Sequence, residues 1–166
     1  MTPLVSILIP AFNVEKWIAD AIKSAIAQSW RRTEVVIVDD GSTDATLAIA
    51  RRFASKKVVV LTQKNQGAAI ARNRALELCQ GKYIQWLDAD DLLSPDKIER
   101  QMEAAQVFAN KRTLLASEWG SFAYRTKRAK FHATALWCDL SPVEWLLRKR
   151  GKIPTCRPEP GWSVVS

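Results

Sequence analysis

The sequence predicts an α/β fold, a mostly parallel open sheet covered by helices on both faces. Three observations lead there. Runs of apolar, largely β-branched residues at 5–9, 35–38 and 58–61, and a fourth run at 83–87, have the length of buried strands. Segments of helical character separate them, so strand and helix alternate four times. Each strand also gives way to a polar cluster: Ala11-Phe12-Asn13, Asp39-Asp40, Lys64-Asn65-Gln66 and Asp88-Ala89-Asp90-Asp91. Parallel strands end at one shared edge, and ligands of open α/β sheets bind there.

Taken in order, residues 5–9 form a strand that is expected to stop at Pro10, where a backbone donor is lost. Ile18, Ile22 and Ile26 recur every four residues with Trp17, Ala21 and Ala25 beside them, while Asp20, Lys23 and Gln28 are expected to face away. After the second strand, Gly41 supplies a tight turn and Ser42 an N-cap, and Leu47, Ala50 and Phe53 mark a helix. The third strand leads through Gly67 into residues 68–79, which are rich in helix formers and free of internal Gly or Pro. Gly81 closes that helix before the fourth strand. Ser94-Pro95-Asp96 has the form of a cap, a first-turn proline and a first-turn acid. The helix it opens is expected to run to about residue 110, with Ile98, Met102, Ala105 and Ala109 on one face. Residues 114–124 alternate loosely, as an antiparallel strand or pair would. Ser141 and Glu144 form a capping box for a short helix carrying Trp145, Leu146 and Leu147.

At 166 residues, 48% of them apolar, the chain has the size and composition of one folded domain. No apolar run approaches the ~20 residues of a membrane-spanning helix. Nothing at the N-terminus reads as a signal peptide. Cys79, Cys138 and Cys156 are far apart and odd in number, with no C-x-x-C pair, which argues against a disulfide framework or zinc pattern. A cytoplasmic location is therefore expected. The charge is uneven: residues 1–100 carry 14 basic and 12 acidic residues, and 101–166 carry 11 and 5. The basic runs at 125–130 and 148–152 are either a solvated face or a peripheral contact with an anionic membrane at its inner surface. No nucleic-acid recognition module accompanies them.

The acidic cluster is the sharpest chemical signal. Asp88, Asp90 and Asp91 repel one another, and exposure to water or a bound cation is the usual compensation. Mg²⁺ typically takes one or two carboxylates plus substrate phosphates. Carboxylates that hold such a cation beside helix N-termini suit a diphosphate. Asp39, at the end of the second strand, can accept hydrogen bonds from a nucleobase N–H or a ribose hydroxyl. Phe12 can stack on a base or fill the core. Arg72 and Asn73 can reach a phosphate or pair with the acids.

Four blocks, VSILIPAFN (5–13), EVVIVDDGSTD (34–44), NQGAAIARN (65–73) and YIQWLDADDLLSP (83–95), resemble in order and spacing the signature blocks of family-two glycosyltransferases of the GT-A type. The resemblance covers roughly the first 110 residues. It implies a Rossmann-like nucleotide-binding half over residues 1–112, followed by a partial acceptor side over 113–166. It further implies transfer of a sugar, with inversion, from a nucleoside diphosphate sugar to a saccharide or lipid acceptor of the cell envelope. By motif, Asp39 would bind the base, and Phe12 with the backbone at Pro10 and Ala11 would line the base pocket. Asp88 and Asp90 would form the D-x-D pair holding ribose and a divalent metal, Mg²⁺ or Mn²⁺. Asp91 would be a further metal ligand, and Arg72 would lie near the diphosphate.

Inversion also needs a carboxylate base. The family places it in an acidic motif, often Glu-Asp, well after the D-x-D. The acids left here are Glu103, Glu118, Asp139, Glu144 and Glu159, none in such a pair, and Asp139 is the candidate substitute. The expectation is a truncated transferase that keeps its donor half and lacks most of its acceptor half. Two alternatives are a non-catalytic nucleotide-sugar-binding module and a sugar nucleotidyltransferase. The latter usually carries a Gly-rich, basic loop after the first strand, where this chain has Pro10-Ala11-Phe12-Asn13.

Overall fold

A computed structural model describes residues 2–107, 120–121, 130–131, 143–144 and 147. Four parallel strands, β1 (Val5–Ala11), β2 (Thr33–Asp39), β3 (Val58–Thr62) and β4 (Tyr83–Trp86), form a sheet of order β3-β2-β1-β4. The helices between them are α1 (Ile18–Ile26), α2 (Thr46–Arg51) and α3 (Ala68–Leu78), and α4 (Lys97–Val107) follows β4. The α/β class and the parallel sheet expected from sequence are what the chain forms. The chain divides into two compact units, Met1–Glu99 and Arg100–Ser166, and the sheet lies wholly in the first.

Alternation along the strands produces the two covered faces. Leu8, Val36 and Val38 pack with Ala71 and Ala75 of α3, with Leu78 and Cys79 against them. The opposite face carries Ile7, Ile9, Val35 and Ile37, all buried, in register across β1 and β2. α1 and α2 pack against each other and against the sheet, and Ile18, Ala21, Ile22 and Ala25 of α1 are buried. The order 3-2-1-4 reverses direction between β1 and β4. In open sheets the crevice at such a reversal is where ligands bind.

Several local expectations are corrected. β1 does not stop at Pro10 but continues to Ala11. The amide of Leu87 donates to the carbonyl of Leu8, so even residues of β1 direct their backbone groups toward β4. β4 has already left the ladder at Pro10, so the missing N–H there costs no sheet bond. In α1, Ile26 and Trp17 are half exposed, whereas Gln28, expected to face away, is buried. Its amide nitrogen donates to the carbonyls of Ser24 (3.1 Å) and Ser94 (2.8 Å), and its oxygen accepts the amide of Ile98 at 3.2 Å. Ser42 does not cap α2, and neither does Ser94 supply a side-chain cap to a helix amide here: its hydroxyl donates to Asp96. α4 is described as far as Val107, so Ala109 lies outside the described residues. Within 114–124, Gly120–Ser121 pairs antiparallel with Lys130–Phe131. Val143, Glu144 and Leu147 are helical, while Ser141, Trp145, Leu146 and Asp139 lie outside the described residues, as do both basic runs apart from Lys130. Among the described residues no helix is long and apolar enough to cross a membrane.

Candidate functional site

The residues singled out by sequence follow the ends of parallel strands or stand on the helix after one. Pro10 and Ala11 end β1, and Ala11 is the register partner of Asp39 at the end of β2. Phe12, just past β1, is 46% exposed, which sets aside core filling as its role. Asp88, Asp90 and Asp91 follow β4 and are exposed.

Asp39 is 1% exposed. Its Oδ2 accepts the hydroxyl of Thr62 at 2.8 Å and the amide of Ser42 at 3.4 Å. Its Oδ1 is buried and has no hydrogen-bond partner among the described residues. A buried acceptor left empty costs about 1–3 kcal/mol, so the position calls for a donor from a ligand or a water.

Arg72, on the second turn of α3, places Nη2 2.8 Å from Asp88 Oδ1, so the pairing with the acids considered for it is present. Both side chains are about half exposed, and such a pair is weak enough to be exchanged for a phosphate. Burial pushes the Asp91 carboxyl up from its ordinary range, and the negative charges of Asp90 and Asp88 push it the same way. Asp91 thus feels the charge of its two neighbours, and Arg72 offsets part of that charge at Asp88. Among the described residues no three His, Cys, Asp or Glu side chains converge on a protein-only metal site.

The loops carrying these groups are bonded to one another. Asn13 is held at φ 51°, a left-handed conformation that Asn tolerates better than most residues. Its amide donates to Ser42 Oγ at 3.0 Å and its Oδ1 accepts the amide of Thr43 at 2.9 Å. The amide of Val14 donates to Thr46 Oγ1 (2.8 Å) and that of Glu15 to Asp44 Oδ2 (3.1 Å). The carboxylate of Glu15 returns a bond to the amide of Ala45 at 2.8 Å. On Asp44, desolvation is the largest single effect and raises the carboxyl, but the bonds from Thr46 and Glu15 together outweigh it and hold the carboxyl below its usual range. Asp40 makes the equivalent connection from β2 to the loop after β3. Sequence reasoning missed Asn13, Asp40 and Thr62 as parts of the site. The adjacent Asp-Asp pair was the available signal, since neighbours on a strand point to opposite sides.

A groove at the opposite, amino edge is lined by Ile26, Trp30, Arg31, Lys56 and Lys57 among others, and contains none of the residues above.

Comparison with known proteins adds the family. The family model described as Glycosyl transferase family 2 matches residues 6–134. The chain is 43% identical over 104 residues to the Bacillus subtilis (strain 168) protein named for teichuronic acid biosynthesis, glycosyltransferase TuaG, covering 61% of this chain and 41% of that protein. It is 48% identical over 99 residues to chondroitin synthase of Escherichia coli, covering 58% of this chain and 14% of that one. The chain thus spans less than half the length of these curated relatives. Among solved structures it resembles S. aureus TarS 1-349 in complex with UDP-GlcNAc, with a TM-score of 0.61 and 27% identity over 69% of this chain and 37% of that one. It also resembles the mannosyltransferase PcManGT from Pyrobaculum calidifontis in complex with GDP-Man and Mn²⁺, with a TM-score of 0.57 and 26% identity over 66% and 33% of the two chains. With a match over residues 6–134 and the GT-A-like sheet that these structures share, the chain belongs to glycosyl transferase family 2.

Proposed function

We propose that this chain carries the donor-binding part of an inverting glycosyltransferase that moves a sugar from a nucleoside diphosphate sugar to a saccharide or lipid acceptor. Residues 1–112 would hold the donor, and 113–166 would belong to the acceptor side. The observation that carries the reading is the empty, buried Oδ1 of Asp39. It lies at the carboxyl end of β2, where a ring N–H of uracil or guanine supplies the missing donor. Structural relatives crystallised with UDP-GlcNAc and with GDP-Man support a ligand of this class.

The remaining roles follow from position and chemistry. Phe12 and the backbone at Pro10 and Ala11 line the base pocket, with the exposed ring of Phe12 available to stack. Arg72 exchanges its pair with Asp88 for the diphosphate. Asp88 and Asp90 hold ribose and a divalent cation, Mg²⁺ or Mn²⁺, with Asp91 as an additional ligand. The donor set fits such an ion: the oxygens are carboxylates, as hard cations prefer, and three of them lie within four positions. When bound, the ion neutralises charge developing on the leaving diphosphate. The three acids hold the pyrophosphate end, while Asp39 and Phe12 hold the base end.

Calorimetric titration of UDP and GDP, with and without Mn²⁺, tests the reading. The expected result is metal-dependent binding of one diphosphate, weakened at least tenfold by Asp90→Ala, the cost of one lost charge-assisted contact. Binding that ignores both the metal and Asp90 would remove the acidic cluster from the site.

A further inference from the structure

The Asp40 carboxylate touches none of the groups assigned to the ligand, yet the residue is 2% exposed and both carboxylate oxygens are engaged. Among the described residues, every donor to its carboxylate comes from the segment joining β3 to α3. The side-chain nitrogen of Gln63 (2.7 Å) and the amide of Gln66 (3.0 Å) reach Oδ1, and the amide of Gly67 reaches Oδ2 at 2.8 Å. Its own amide donates to the carbonyl of Ala11 at 2.8 Å, so one residue ties the ends of β1 and β2 to the start of α3. Gly67 is the residue at which α3 begins, and no side chain caps it from within the helix terminus. At Gly41, next in sequence, a Cβ would lie 2.8 Å from the amide nitrogen of Asn65, and φ is +73°. Close approach of this turn to the loop is therefore built into the sequence. A buried carboxylate resists ionisation, but the bonds from Gln63, Gln66 and Gly67 outweigh that effect and hold Asp40 below its usual range.

We infer that Asp40 is a positioning residue for the donor diphosphate: by fixing where α3 starts, it delivers Arg72 to the phosphate end of the site. Arg72 is the only link between α3 and the acidic cluster among the described hydrogen bonds, through its 2.8 Å contact with Asp88. The helix is a stiff element, so a shift at Gly67 carries to the second turn. The inference rests on the donor-binding reading above, which assigns Arg72 to the phosphates.

The test is a double-mutant cycle on the full chain with UDP and Mn²⁺ as probe, using Asp40→Asn, Arg72→Ala and the pair, alongside amide hydrogen exchange. An Asn keeps one acceptor oxygen and turns a donor toward one of the bonded N–H groups. Asp40→Asn should speed exchange at Gln66 and Gly67 and weaken UDP by about tenfold, as expected when the competent conformer becomes a minority. Arg72→Ala should weaken UDP by about tenfold in the parent and by less than threefold or so in the Asp40→Asn background, because the two act as one unit. A scaffold role alone would lower the melting temperature and leave the Arg72 effect undiminished, which overturns the inference, as does unchanged UDP affinity in Asp40→Asn. Should Asp40→Asn fail to fold, Gln63→Ala removes one donor and retains the charge. It should give a loss of about threefold, again coupled to Arg72, and additivity there overturns the inference equally. Absence of UDP and GDP binding by the unaltered chain would instead overturn the donor-binding reading itself, and this inference with it.

Discussion

Replacing Asp39 by Asn separates a ligand role from a folding role, because the two carboxylate oxygens have different partners. Oδ2 serves Thr62 and Ser42, while Oδ1 has no partner among the described residues. An Asn side chain can keep its oxygen toward Thr62 and Ser42, which places its amino group where Oδ1 stood. Folding then exchanges one unsatisfied polar group for another, and the stability change should stay within about 1 kcal/mol. Binding changes far more, since a ring N–H would face an N–H. Loss of a hydrogen bond to a charged group is worth roughly 1.5–3 kcal/mol, a weakening of about 10- to 150-fold. Calorimetry with UDP and Mn²⁺ measures this, and urea unfolding supplies the stability. UDP methylated at uracil N3 gives an independent check. It should bind the parent as weakly as Asp39→Asn binds UDP, and the mutant should no longer distinguish the two ligands. Parent-like UDP affinity in Asp39→Asn would refute the assignment of Asp39 to the base.

Two further substitutions probe how the site is held. Gln28→Leu keeps an apolar volume but strips the Ile98 amide of its partner, while the Ser94 carbonyl still accepts the amide of Lys97. Urea unfolding should show a loss of about 1–3 kcal/mol, the cost of the one stranded amide, and no measurable loss would mean that water replaces the side chain. Asp91→Asn should stabilise the chain by a few tenths of a kcal/mol at low salt, an effect that fades with added salt, as exposed charge pairs do. The pH dependence has a definite sign. Asp91 has its folded pKa raised, so its favourable contribution is complete below the unfolded value near 4 and is lost as pH rises through the folded value. Asp40 has its folded pKa lowered, so its contribution holds above that range and is lost as pH falls through the folded value. Unfolding of Asp91→Asn measured from pH 3 to 7 should therefore lack the first of these slopes, and a retained slope would assign it elsewhere.

Much of this architecture is legible in the sequence because it rests on local pattern. β-branched runs separated by helical segments specify the parallel sheet, and the sheet alone brings Ala11, Asp39 and Asp88 to strand ends. The errors arose where a residue's partner is remote. Gln28 looks like an outward polar residue by helical spacing, yet it is buried by bonds to Ser94 and Ile98, about 70 positions away. Ser42 has the composition of a cap but is used by the amide of Asn13. Pro10 reads as a strand terminator, and only the early departure of β4 makes it harmless. Asp40 looks like a second copy of Asp39, and its three donors on the β3–α3 segment cannot be inferred from spacing. The empty oxygen of Asp39 is likewise a property of packing, not of pattern.

Backbone amide NMR of the full chain titrated with UDP and Mg²⁺ tests the carboxyl edge as the donor site most directly. Shifts are expected at Phe12, at Asp39 through Ser42, at Arg72, and at Asp88 through Asp91. Arg31, Lys56 and Lys57, which line the groove at the amino edge, should stay unmoved. Shifts confined to those basic residues, with Asp39 and Asp88 silent, would contradict the account.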